Sequence, residues 1–300
     1  VRQFLKFVTR SRIHAAATAV LALLLPPFGF VAAGMVGLET LKYGVADGAL
    51  ILAASVAASS AVMMLALNSA DAAILFAVSM GLPMLLLAAV LRYTASQGAA
   101  LMSAGLLGGC VIAAIHLFSA HPVAWWRRVL EIVLVERMQR GDAPDPAMAE
   151  SMGEVADKLA PLMSGAPTGI AIGAMVLLFL ARWGHAVLDN PGGFGKEFRA
   201  LRLDRRVAYV AICLGLSAIF FRQFASGLLP ELFNLVVALY VLQGIAVAHA
   251  LVKRRRASSG WLVAMYVLIV LVPPLGMLAL SVAGFSDTWL DYRARYAGQS

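Results

Sequence analysis

Residues 98–118 read GAALMSAGLLGGCVIAAIHLF, 21 positions without a charged side chain. A helix rises about 1.5 Å per residue, so this run covers about 30 Å, the thickness of a bilayer's hydrocarbon core. Further apolar blocks occupy 13–25, 28–43, 48–67, 72–91, 167–188, 207–226, 230–252 and 260–284. Of the 300 residues, 61% are apolar and 13% charged, about half the charge density of a soluble domain. A globule would lack the polar surface to coat itself, whereas a bundle bathed in lipid needs little. The chain therefore reads as an all-α, polytopic transmembrane helix bundle.

The first two blocks are short and meet at Pro26-Pro27. Joined as one kinked span they give eight crossings; as a tight hairpin they give nine. Positive charge arbitrates, because Lys and Arg accumulate in cytoplasmic loops. Nine spans with the N-terminus inside gather 16 of the 24 Lys and Arg on the inner side, among them the 196–206 loop and the Lys253–Arg256 run. Eight spans would put both of those outside. Nine spans are expected, in a bacterial cytoplasmic (inner) membrane, with the C-terminus outside. The first span must borrow length from 4–12. Basic residues ahead of 15–25 resemble a signal peptide, but hydrophobicity resumes at Phe28, so the segment is read as a membrane helix.

Three regions follow: N-terminal spans at 1–118, an extramembrane segment at 119–166, and C-terminal spans at 167–300 containing the basic loop 189–206. Amphipathic interfacial helices are expected at 123–163 and 194–203. In the first, Trp126, Val129, Leu130 and Val133 share a face opposite Arg127, Arg128 and Glu131. After a break at Gly141–Pro144, Asp145 is placed to cap a second helix, in which Met148, Met152, Val155 and Leu159 recur at spacings of four and three. In the basic loop, Asn190 to Gly195 is turn chemistry, and Phe194, Phe198 and Leu201 form the apolar stripe of a short basic helix.

Few sequences of catalytic type are present. Cys110 and Cys213 lie within apolar blocks as packing residues. His14, His116, His121, His185 and His249 have no metal-ligand spacing, and HExxH and GxSxG are absent. Gly192-Gly-Phe-Gly-Lys196 fails the P-loop spacing and follows no strand. No enzymatic activity, cofactor or metal is expected. The net charge of +8 belongs to the ends of apolar blocks, so membrane lipids rather than nucleic acid are its expected partner.

Polar residues inside apolar blocks are costly unless they face the bundle or water. They are Glu39, Arg182, His185, Arg222, Gln223, Glu231, Asn234, Gln243 and His249. Arg222 and Glu231 flank one short loop and are expected to pair. Asn234, Gln243 and His249 are the ligand-binding candidates, although they do not share one helical face. Small residues at fourth positions, such as Gly165/Gly169/Gly173 and Gly105/Gly109/Ala113, allow close helix approach, either within the chain or to another membrane subunit.

The stretches Leu188-Asp-Asn-Pro-Gly-Gly-Phe-Gly-Lys-Glu-Phe-Arg-Ala-Leu-Arg-Leu203, Leu239-Tyr-Val-Leu-Gln-Gly-Ile-Ala-Val-Ala-His249 and Asp287-Thr-Trp-Leu-Asp-Tyr-Arg-Ala-Arg295 resemble the YybS-like family of bacterial polytopic membrane proteins. The resemblance is clearest over about 188–296. It implies no activity, only a distant similarity to substrate-binding membrane subunits of energy-coupling-factor vitamin transporters. It marks Asn190, Gly193, Phe194, Glu197, Arg199, Asp287, Trp289 and Arg293 as interfacial or partner-binding candidates, and Gln243, Gly244 and His249 within a span. The leading expectation is a transport-type membrane component that binds an unknown small molecule among its later spans, energised by a separate partner. Its first rival is a non-catalytic scaffold recruiting envelope or membrane-assembly proteins; an intramembrane enzyme comes third.

Overall fold

The computed structural model describes residues 1–25, 27–138, 146–220 and 227–295. The regular elements among them are all helical. Helices α1 (Arg2–Val8) and α2 (Arg12–Leu24) meet at 104°, so 4–12 lies across the first span and lends it no length. Helix α3 (Gly29–Lys42) returns antiparallel to α2. The Tyr43 hydroxyl, beyond the end of α3, donates to the Thr9 carbonyl ahead of α2 at 3.0 Å. The first two blocks are thus a hairpin, not one kinked span. Its helices have 13 and 14 residues, about 20 Å each, which is short of a full crossing.

Next come α4 (Val45–Leu67), α5 (Asp71–Phe76), a π-helical turn (Ala77–Gly81), α6 (Leu82–Thr94) and α7 (Gln97–Phe118). The π turn precedes Pro83, whose missing N–H breaks the regular ladder at that point. Helices α8 (Pro122–Met138) and α9 (Pro146–Leu159) follow, then a 3₁₀ stretch (Ala160–Gly165). The chain continues with α10 (Ala166–Asp189), α11 (Gly193–Arg199), α12 (Arg205–Phe220), α13 (Leu228–Arg254), α14 (Gly260–Leu271), α15 (Pro273–Leu290) and α16 (Tyr292–Arg295). Among the described residues, five helical stretches are long and apolar enough to cross a membrane: 45–66, 71–94, 97–118, 150–189 and 228–254. A sixth arises if the bent α1–α2 pair is one span. The all-α membrane bundle is as expected, but its nine apolar blocks are realised unequally.

The last block departs most from its reading. Residues 260–284 do not form one straight crossing, because Pro273 and Pro274 lack the N–H groups that would continue the ladder. Helix α15 instead folds back along α14, so that a Cβ on Gly276 would lie 2.9 Å from Ile269 Cα. Residues 287–293 therefore return to the end of the bundle occupied by Arg199–Leu203 and Lys253-Arg254. The same end holds Leu5 against Gly184, Arg12 on Asp47, and Arg92 donating to the Leu41 carbonyl. The C-terminal helix thus lies at the same end of the bundle as the N-terminal segment, whereas a through-going last span would put it at the other end.

Helix α3 is the hub of the core, packing on α2, α4, α6 and α10. Ala32, Ala33 and Val36 are fully buried there. At the opposite end of the bundle Arg127 bridges Glu131 and Asp157, tying α8 to α9. Trp126, Val129 and Leu130 are half-buried as their periodicity predicts. On α9, however, Met152 and Ala156, with Ala160 beyond its end, face inward, while Val155 and Leu159 are exposed. Small alanines let the elements approach closely, which the count of large apolar residues does not register. The Gly141–Pro144 break, the Asp145 cap, Arg222 and Gln223 lie outside the described residues, as do the side chains of Val133 and Met148. Glu231 faces His116 Nε2 at 3.2 Å.

Candidate functional site: a basic hollow

The site begins at the turn that ends α10. Gly192 has φ +85°, a left-handed conformation that costs a glycine little. The Gly193 N–H donates to the Asn190 carbonyl at 3.0 Å, starting α11. Phe194 and Phe198 on that helix pack on Phe179, with ring centroids 6.1 and 5.3 Å away. Phe198 also meets the His249 ring edge-on. Fixing this aromatic face leaves Lys196 exposed and Arg199 half-exposed. Glu197 points elsewhere, into an ion pair with Arg182.

The helix ends at Arg199, short of the predicted 203. Residues 201–203 alternate instead, with Leu201 and Leu203 buried and Arg202 exposed. Backbone buried without a helix ladder needs other partners, and distant side chains supply them. Arg293 Nη1 donates to the Arg199 and Leu201 carbonyls, both at 2.9 Å. The Leu203 N–H donates to Gln243 Oε1 at 2.8 Å, and Gln243 Nε2 donates to the Gly284 carbonyl at 2.7 Å. Asp287 accepts from Arg293 at 2.5 Å, and Asp291 from Arg202 at 2.5 Å. The Asp291 carboxyl is held below its ordinary range by the Arg202 hydrogen bond, and Arg202 is raised in turn.

These contacts hold open a hollow of about 430 Å³ lined by Lys196, Arg199, Arg202, Lys253, Arg254 and Arg293, with Ala200 and Ala250 between them. No carboxylate lines it. Chemically, it is suited to gathering anions.

The sequence candidates meet different fates. Arg199 and Arg293 reach the hollow, and Asp287 stands behind Arg293. Asn190, Gly193 and Phe194 build the entry to α11, while Glu197 faces Arg182. Trp289 meets Phe285 edge-on and takes no part in the hollow. Asn234, Gln243 and His249 do not converge. Asn234 is exposed, Gln243 is fully buried with its amide committed at both ends, and the His249 ring sits between Phe198 and Tyr266. Sequence reasoning took Lys196, Arg202, Lys253 and Arg254 as topology charges and lipid contacts, and Lys196 also as part of the failed phosphate-loop motif. Their shared signal was the basic loop and the basic run, five of whose residues (Lys196, Arg199, Arg202, Lys253 and Arg254) become neighbours in space.

A family profile described as "Predicted membrane protein (DUF2232)" matches residues 15–288. The chain belongs to this family. The match includes both hairpins, the long spans, α11 and Asp287, and stops just short of Arg293. The family description names no activity. No curated protein and no solved structure matches the chain.

Proposed function

We propose that the protein is a transport-type component of the bacterial inner membrane whose small-molecule ligand docks at the basic face, not among the later spans. The observation that carries this reading is the concave hollow with six cationic side chains in its lining and no carboxylate. A concave charged surface focuses field and raises the local concentration of an oppositely charged solute. Positive charge on the inner side makes the hollow cytoplasmic. The role is non-enzymatic, with energy supplied by a separate membrane partner. The test is uptake or efflux of an anionic solute mixture by proteoliposomes containing the full chain, with and without co-purified partners. Enrichment of one solute over empty liposomes is expected; equal solute profiles in both preparations defeat the reading.

A separate observation favours the scaffold alternative. Helix α14 has no buried residue. A lateral apolar groove of about 750 Å³ runs past Phe30, Met80, Met84, Gly169 and Gly173, and a Cβ on either of those glycines would meet nothing within 4 Å. Stoichiometric co-purification of a membrane subunit, abolished by Gly169→Leu/Gly173→Leu, would support this second reading.

A further inference from the structure

We infer that the basic hollow is a site for a phosphate group bearing two or more negative charges, a phosphomonoester or linked phosphates. This rests on the basic face being where the ligand docks; it does not require that anything be transported.

Charge accounting separates this ligand class from a simple carboxylate. Arg202 and Arg293 are matched by Asp291 and Asp287. Lys196, Arg199, Lys253 and Arg254 line the same hollow with no acidic partner among the described residues. The C-terminal end of α13 offsets only about half a unit of charge. The remaining excess is far more than one carboxylate neutralises, and it suits a dianion or trianion.

The geometry fixes which cations are available. Arg293 is only 7% exposed, its Nη atoms are fixed on Asp287 and two carbonyls, and its Nε has no partner among the described residues. Arg202 is likewise oriented by Asp291. With those donors committed, Arg293 and Arg202 fix the wall, and Lys196, Arg199, Lys253 and Arg254 are left to meet the oxygens of a phosphate. The charges come from 196–202, 253–254 and 293, segments far apart in sequence that the fold brings together.

The shared chemistry has two sources, a soluble phosphate compound or a lipid headgroup, and the test separates them. The full chain is placed in phosphatidylcholine nanodiscs. Inorganic pyrophosphate is titrated as the soluble probe. Phosphatidic acid, against phosphatidylglycerol as the singly charged control, is offered as the lipid probe and read by native mass spectrometry. Binding of either probe is expected, with phosphatidic acid retained over phosphatidylglycerol if the source is lipid. The exposed pair Lys196→Gln/Lys253→Gln is expected to weaken binding at least about tenfold, with Arg128→Gln, on the opposite face, unchanged and Lys253→Arg restoring affinity to the Lys196→Gln background level. Absence of pyrophosphate binding together with equal retention of the two lipids overturns the inference, as does binding insensitive to the paired variant. Phosphate binding without solute movement in proteoliposomes would defeat the transport reading alone; solute movement without binding of pyrophosphate or selective retention of phosphatidic acid would defeat this inference alone.

Discussion

Arg293 and Asp287 form an ion pair at 2.5 Å, with side chains 8% and 0% exposed, between the last turn of α15 and α16. The arginine also holds two carbonyls of the 199–201 segment, so one side chain ties the C-terminal hairpin to the wall of the hollow. Removing one partner of a buried pair leaves the other charge stranded, at about 3–5 kcal/mol. Asp287→Asn and Arg293→Gln are each expected to lose that much stability. The double variant should lose less than the sum, because the stranded charge is gone. Chemical unfolding in a single detergent checks this; additive losses would mean the pair is not coupled.

Gln243 has both amide atoms committed, to the Leu203 N–H and the Gly284 carbonyl. Gln243→Leu keeps the volume but leaves the buried Leu203 N–H unpaired and the Gly284 carbonyl with its helix bond alone, a loss of about 1–3 kcal/mol. Asn234→Leu, on an exposed position of the same helix, is expected to change little. Thermal unfolding of the two variants side by side makes the comparison, and equal midpoints would refute the clasp.

Helices α13 and α15 touch through backbone. A Cβ on Gly284 would overlap the Tyr240 carbonyl, and one on Gly244 the Leu280 carbonyl. Gly284→Val is expected to cost at least about 2 kcal/mol by forcing the helices apart. Gly34→Ala, where a Cβ meets nothing within 4 Å, should be neutral or slightly stabilising. A tolerated Gly284→Val would mean that the two helices sit further apart.

Much of this was legible in the chain. Runs such as 98–118 and 230–252 became long helices because twenty apolar residues have few other stable fates. The α2–α3 hairpin followed from weighing positive charge along the whole chain, chiefly at 196–206 and 253–256, and the Asn190–Gly193 turn from glycine and asparagine chemistry. What escaped was non-local or subtractive. Hydropathy sums treat Pro273-Pro274 as apolar, yet their missing N–H groups fold the last block back. Gln243 advertised a polar atom in a span but not the two backbone groups that satisfy it. The hollow needs 196–202, 253–254 and 293 to meet, and no periodicity within one segment encodes that meeting.

The Arg202–Asp291 pair sets an acid limit. Arg202 lowers the Asp291 carboxyl below its ordinary value of 3.8. A depressed carboxylate stabilises the fold fully above its unfolded value and loses that contribution as pH falls through the folded one. Stability from this pair should therefore be flat from pH 5 to 8 and decline below about pH 4. Both side chains are about 40% exposed, so the contribution is under about 1 kcal/mol. Asp291→Asn should lower stability slightly at pH 7 and flatten the acid limb. An unchanged acid limb in the variant would assign the decline to other carboxylates.

The folded-back last block makes the sharpest prediction about topology. If α14 and α15 both open on the basic face, Ser258 and Ala294 lie on the same side of the membrane as Arg10, and His121 lies on the other. The native Cys110 and Cys213 are free and exposed, so both are first replaced by alanine. Single cysteines at 10, 121, 258 and 294 are then treated with a membrane-impermeant maleimide in vesicles of each orientation. Positions 10, 258 and 294 are expected to label together and position 121 oppositely. Labelling of 294 with 121 would make 260–290 a through-going span. It would also remove Arg293 from the hollow and free the Arg199 and Leu201 carbonyls that now depend on it.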